Sequence, residues 1–273
     1  MTFQPVLPMG GYGGWQFLKR TMDAQQAQFA RSPVLQRDAA YFRERIGQID
    51  SAEALVSDPR LLRVALGAFG LEEDVGKRFL VRKILEGGTE DPRALANRLT
   101  DRRYQDFARS FGFGDSGGAR TGEAGFADRI LGKQKTRQFE VAVGNQDNNL
   151  RLALNLRREL TELAGSDRSE RAKWFSVLGT PPLRQVFETA FGLPQGFGTL
   201  DIDRQLGVLQ GRARQAFGSE GVSQFTDPDT TEKLIRQFLL RAEVQDGLIS
   251  GATRGAAALQ LLQTTSFRPL FAR

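Results

Sequence analysis

The stretch Ala68-Phe69-Gly70-Leu71 returns as Ser110-Phe111-Gly112-Phe113 and again as Ala190-Phe191-Gly192-Leu193. Each copy has the chemistry of a Schellman stop. A bulky apolar residue closes the last turn, glycine takes the left-handed conformation without a Cβ penalty, and the next apolar residue folds back onto the helix. Two copies also share a start: Asp58-Pro59 and Thr180-Pro181 lie at the same offset before their phenylalanines, as do Leu61 with Leu183 and Val64 with Val186. An oxygen-bearing N-cap followed by proline opens a helix, because proline lacks an amide hydrogen that would be orphaned there anyway. The middle copy keeps Thr100 at the cap offset but has Asp101 in place of proline. These units predict an all-α protein, an irregular multi-helix bundle with internally repeated short helical units. The step between the second and third copies is near twice the first, which favours duplication inside a bundle over a regular solenoid. Ala216-Phe217-Gly218 is a weak echo, with Ser219 in place of the fold-back residue.

Working outward, residues 1–14 are rich in glycine and proline and read as a flexible N-terminal arm. Its Gly10-Gly11-Tyr12-Gly13-Gly14 lacks the preceding strand and following Lys-Ser or Lys-Thr of a phosphate loop. Residues 15–113 read as an N-terminal helical subregion, 114–125 as a glycine-rich loop between subregions, 126–245 as a C-terminal helical subregion, and 246–273 as a terminal helix and tail. Trp15, Leu18, Met22 and Phe29 fall along one helical stripe, interrupted by Gln25. Ile249, Leu259 and Leu262 accompany Gly251, Gly255 and three alanines, small residues that let a partner helix approach closely. Both stripes need covering, so these seven apolar residues are the candidate partner-binding positions, through helix-to-helix contacts or self-association.

The chain contains neither cysteine nor histidine. That removes disulfides, thiol nucleophiles, thiolate or imidazole metal ligands and every triad needing an imidazole base. A 40% hydrophobic and 26% charged composition fits an ordinary folded chain and argues against wholesale disorder. Acidic pairs exist at Asp201 with Asp203, at Asp227 with Asp229, and in Glu72-Glu73-Asp74. Each sits at a predicted loop or helix start, where aspartate commonly caps orphan amides. Neither aspartate pair has the glycine and closing glutamate of a calcium loop. No catalytic, cofactor-binding or metal-binding residue is assigned, and a non-enzyme without cofactor is expected.

The formal charge of +6 invites a nucleic-acid reading, but the basic residues are dispersed. Arg102-Arg103 and Arg157-Arg158 are isolated doublets, and the densest stretch, Arg129 to Arg137, is no long like-charge run. A solvated helical surface is the preferred reading. No apolar run approaches the roughly 20 residues of a membrane span, and the first residues lack the basic head and apolar stretch of a secretory signal.

The order of short motifs resembles a known family. Arg37-Asp38 with Tyr41-Phe42, Asp58, Ala68-Phe69-Gly70-Leu71, Ala96-Asn97-Arg98-Leu99 with Asp101, Arg103-Tyr104, Phe107 and Phe111-Gly112-Phe113 carry the resemblance. Phe139-Glu140, Val143-Gly144, Arg151-Leu152-Ala153-Leu154, Trp174, Leu183-Arg184 and Leu200-Asp201-Ile202-Asp203-Arg204-Gln205 continue it. Over roughly Gln28 to Glu243 the chain is similar to the bacterial domain-of-unknown-function family twelve-seventeen. The resemblance implies a helical protein often encoded among flagellar genes, with no known reaction, cofactor or functional residue to transfer. The expectation is a flagellum-associated structural or protein-interaction component, located in the flagellum or the cytoplasm. The alternatives are a cytoplasmic assembly factor or chaperone and, behind it, a nucleic-acid-binding regulator.

Overall fold

A computed structural model describes the backbone of residues 4–265 and the side chains of 4–247. The described residues form thirteen α-helices, a few 3-10 turns and no strand. In chain order the helices are Gly11–Ala30 (α1), Pro33–Arg45 (α2), Ala52–Ser57 (α3), Pro59–Gly67 (α4), Arg78–Gly87 (α5), Leu95–Arg98 (α6) and Arg103–Phe111 (α7). There follow Phe126–Gly144 (α8), Asn148–Ala164 (α9), Glu170–Leu178 (α10), Pro181–Phe191 (α11), Ile202–Phe217 (α12) and Pro228–Thr265 (α13). The bundle is all-α, and no described helix is long and apolar enough to cross a membrane.

All three repeated stops form. Gly70, Gly112 and Gly192 take φ values of +70°, +71° and +61°. After α4, Leu71 N–H bonds Leu66 O at 3.0 Å and Gly70 N–H bonds Gly67 O at 3.4 Å; after α11, Leu193 and Gly192 make the same pair with Glu188 and Thr189. These are full Schellman closures. The middle copy closes α7 with the simpler single bond, Gly112 N–H to Ala108 O at 2.9 Å. The starts differ. Asp58 accepts from the amides of Arg60 and Leu61 at 2.9 and 3.0 Å, whereas Thr180 turns its hydroxyl back to donate to Ser176 O. Thr180 occupies the cap position without making the cap bond.

Two main cores result. The first gathers α2 through α5, α7 and the first half of α8, where Phe126, Ile130 and Leu131 point into it. The second gathers the second half of α8, through Phe139 and Val143, with α1 and α9 to α13. Its centre is α9, whose Leu150, Leu152 to Leu156 and Leu160 are buried as it packs against α1, α8, α11 and α13. A smaller cluster of Ile84, Ala96 and Ala108 fastens α5 and α6 to α7.

The same aromatic device holds each main core. In the first, Phe107 and Phe111 of α7 meet Phe69 after α4, with centroids 5.3 and 6.4 Å from it. In the second, Phe187 of α11 meets Trp174 and Phe225, and Phe191 lies 6.3 Å from Phe217 at the end of α12. An F-x3-F-G helix end thus packs on an A-x3-F-G end twice, since Ala65 precedes Phe69 and Ala213 precedes Phe217. The weak echo at Phe217 is a working partner of the third stop.

The structure departs from two sequence expectations and adds detail to a third. The N-terminal segment is no loose arm in its described part: Pro5 O accepts from Gln146 Nε2 at 2.7 Å, and Gln25 clasps Val6 through both its amide nitrogen and oxygen. The glycines there serve close packing, because a Cβ on Gly14 would lie 2.2 Å from Met9 O. Nor does residue 15 open the first subregion, since α1 belongs to the second core. Residues 114–125 do form a loop, but one stitched into the first core. Asp115 accepts from Thr89 N–H at 2.6 Å, Arg120 N–H bonds Phe111 O, and a Cβ on Gly114 would collide with Gly88.

Candidate functional site

Trp15, Leu18 and Phe29, expected to bind a partner, are buried inside the chain, and Met22 packs beside them. The stripe exists, but its cover is intramolecular: Phe29 packs edge-on against Phe139 at 5.7 Å, and α1 lies on α8, α9 and α13. Its polar rim converges on Glu232 of α13. Lys19 Nζ lies 2.7 Å from that carboxylate, Trp15 Nε1 donates at 3.1 Å, Gln16 Nε2 donates at 3.1 Å and Tyr12 OH at 3.3 Å. Burial works to raise the Glu232 pKa, but the hydrogen bonds from Lys19 and Trp15 outweigh it and hold the carboxyl below its usual range. A partner cannot reach Trp15, Leu18 or Phe29 without detaching α1, while Met22 is only partly covered. The other predicted positions, Ile249, Leu259 and Leu262, have side chains outside the described residues.

Of the acidic groups, Glu72 lines a small cavity with Arg103, Glu140 and Arg151. Asp201 accepts from Asp203 N–H at 2.9 Å and Asp227 from Thr230 N–H at 3.0 Å, both as helix caps. Asp74 instead takes Tyr104 OH at 2.6 Å and Lys77 at 2.7 Å. Its burial would raise its pKa, and these two bonds win and lower it. No group of carboxylates with metal-holding geometry occurs among the described residues.

A concavity of about 560 Å³ lies where the two cores meet. Its walls come from the start and end of α7, the middle of α8, the end of α9 and the turn into α10. Arg102 N–H bonds Gly179 O across the gap, joining the start of α7 to the end of α10. Eight arginine or lysine side chains line it against four carboxylates. The dispersed basic doublets of the sequence are here brought together, Arg102-Arg103 with Arg158 and with Arg129, Lys133 and Arg137. Sequence reasoning missed the site because its parts lie far apart along the chain. The available signal was that each densely basic stretch falls on a helix or its first cap.

Part of this charge is committed to structure. Arg158 grips Glu140 with two bonds of 2.8 and 2.9 Å and also reaches Glu159, which pairs in turn with Arg137. Burial opposes ionisation of Glu159, yet the two guanidiniums lower its pKa; Arg137 is itself lowered by burial and by the like charge of Arg158. The Nε atom of Arg137 is buried and unbonded among the described residues. Arg103 ties Asp101 to the Gly70 carbonyl, locking the first helix stop beneath the cleft. Other cations are uncommitted. Arg102, Lys133 and Arg168 have no carboxylate within 4.0 Å among the described residues, and Arg109 only approaches Asp106 at 3.9 Å. Lys133 sits 4.9 Å from the Phe69 ring centroid, while Arg168 donates to Ser176 Oγ at 3.1 Å. The cleft walls push the Asp106 carboxyl upward by desolvation, against the pull of Arg109 and Arg168.

A many-helix bundle with paired glycine-stopped units and a basic cleft defines the class, an all-α multi-helix protein. Its family is specific: the chain belongs to the bacterial family described as a protein of unknown function, DUF1217, whose model matches residues 68–231. A crystal structure of protein AGR_C_984 from Agrobacterium tumefaciens is similar to it, at 25% identity and a TM-score of 0.72, covering 89% of this chain and 99% of that one. None of the curated proteins matches the chain.

Proposed function

We propose that this protein is a non-enzymatic, flagellum-associated structural or interaction component that docks other flagellar proteins through the C-terminal part of α13. The observation that carries the reading is the change along that helix. Leu234, Ile235, Phe238, Leu239 and Ala242 are buried in the second core, whereas Glu243 to Gly247 are all exposed and the helix continues to Thr265. At about 1.5 Å per residue, the segment beyond Ala242 adds roughly 35 Å of helix. Its small residues and leucines suit insertion between neighbouring helices, a common mode of helix recognition. The flagellar context is supported by the family resemblance, whose members are often encoded among flagellar genes. Self-association through the same segment is the related possibility that a sizing experiment separates.

The test is a chain truncated after Gly247, compared with the full chain in a strain lacking the gene. The expected result is a folded body that is lost from sheared flagella or basal bodies, with impaired swimming. Normal flagella and swimming in the deletion strain would overturn the proposal. Recovery of the full chain only in the cytosol would move the function to assembly factor or chaperone.

A further inference from the structure

We infer that the cleft between the two cores is a binding site for a compact, phosphate-bearing small molecule of about nucleotide size. Its volume falls within the roughly 300 to 1,000 Å³ of small-molecule sites. Arg102, Lys133 and Arg168, which have no carboxylate within 4.0 Å among the described residues, reach it together with Arg109 from three separate parts of the chain, so the fold itself brings like charges together. Like charges held in a concave, partly desolvated space repel one another unless an anion joins them. Guanidinium groups suit phosphate in particular, because their planar donor fork matches two oxygens at once.

The surroundings select further. The Arg158–Glu140 and Arg137–Glu159 pairs fix the facing surfaces of α8 and α9, which prepares the site before a ligand arrives. Leu163, only partly buried, contributes apolar surface beside the anionic group, with the buried Phe69 and Leu183 behind the wall. A continuous nucleic-acid track fits poorly, since Asp106, Asp128 and Glu162 interrupt the basic lining. A compact phosphate group placed toward Lys133 and Arg168 meets a shorter stretch of this lining, with Asp106 as a neighbouring competing charge.

Calorimetric titration of the full chain with pyrophosphate and with ATP at low ionic strength tests the inference. Both are expected to bind, and Lys133→Gln with Arg168→Gln, both exposed positions, should weaken each by at least about tenfold. Asp106→Asn should tighten both by removing a competing negative charge, a gain that damaged folding would not produce. The site is overturned if neither probe gives heat or a thermal shift, or if the substitutions leave binding unchanged. Tighter binding of duplex DNA or of a polyglutamate peptide than of ATP would also overturn it.

Discussion

The two main cores solve one packing problem with different degrees of closure. In each, a helix ending in F-x3-F-G meets a helix ending in A-x3-F-G. Around the first pair, Phe111 touches Phe69, Phe107, Phe113 and Phe126, with centroids between 5.1 and 6.4 Å, and Lys133 covers Phe69. Around the second, Phe217 remains half-buried and nothing lies within 4 Å of where a Cβ on Gly218 would be. The glycine stop ends a helix in either place. Only packing onto neighbouring elements turns that stop into a structural joint.

The largest expected effect separates the two pairs directly. Phe69→Ala, the counterpart of Phe217 in the first pair, should cost about 3 to 5 kcal/mol, the usual range for a buried phenylalanine. Phe217→Ala should fall below that range because water already reaches part of its ring. Urea unfolding of both variants measures the contrast, and equal losses would show that the two joints are equivalent.

Glu232 offers a second test, confined to the second core. Replacing it with alanine leaves the buried Trp15 N–H without its acceptor, a change that costs about 1 to 3 kcal/mol. The pH dependence has a definite sign. Because the folded-state pKa of Glu232 is depressed, its contribution is fully present above the unfolded value near 4.3. It is lost as pH falls through the lower, folded value. Acid titration followed by Trp15 fluorescence in a Trp174→Phe background should show α1 loosening in that window, and Glu232→Ala should remove the transition.

The helical fold was legible because its signals are local. Proline starts, glycine stops and 3.6-residue stripes need only neighbouring residues to be read. The address of a stripe is not local. Trp15, Leu18 and Phe29 announce a buried face, but nothing within α1 says that its cover lies on α9 and α13 rather than on another protein. The cleft is harder still to read, since Arg102, Lys133 and Arg168 look like solvated surface until α7, α8 and the turn after α9 converge. Gln25 shows the opposite error. It resembles an interruption of an apolar face and is in fact the residue that clasps Val6.

The helix stops can be compared at their glycines. Gly218→Ala should cost about 1 to 2 kcal/mol, from left-handed backbone alone. Gly70→Ala adds a steric term, because its Cβ would lie 2.8 Å from Arg137 Nη1, beside the Glu159 pair. Gly70→Ala should therefore be the more damaging in a thermal melt. Equal losses would mean that the arginine moves aside freely and that this stop is no more tightly built than the open one.

The smallest expected difference concerns the shared starts, where the sequence copies look alike and the bonds do not. Asp58→Ala removes two amide acceptors and the partner of Tyr41 OH at 2.7 Å, so a loss near 1 to 2 kcal/mol is expected. Thr180→Ala removes only a hydroxyl bonded back to Ser176 O, and its loss should stay below about 0.5 kcal/mol. Thr180→Asp sharpens the comparison. If the position keeps its cap geometry, the carboxylate gains the amide bonds that threonine forgoes and stability rises; if the backbone is held off by the preceding turn, stability stays flat. Chemical denaturation of the three variants distinguishes a dormant cap from one that the close packing of α10 on α11 has displaced.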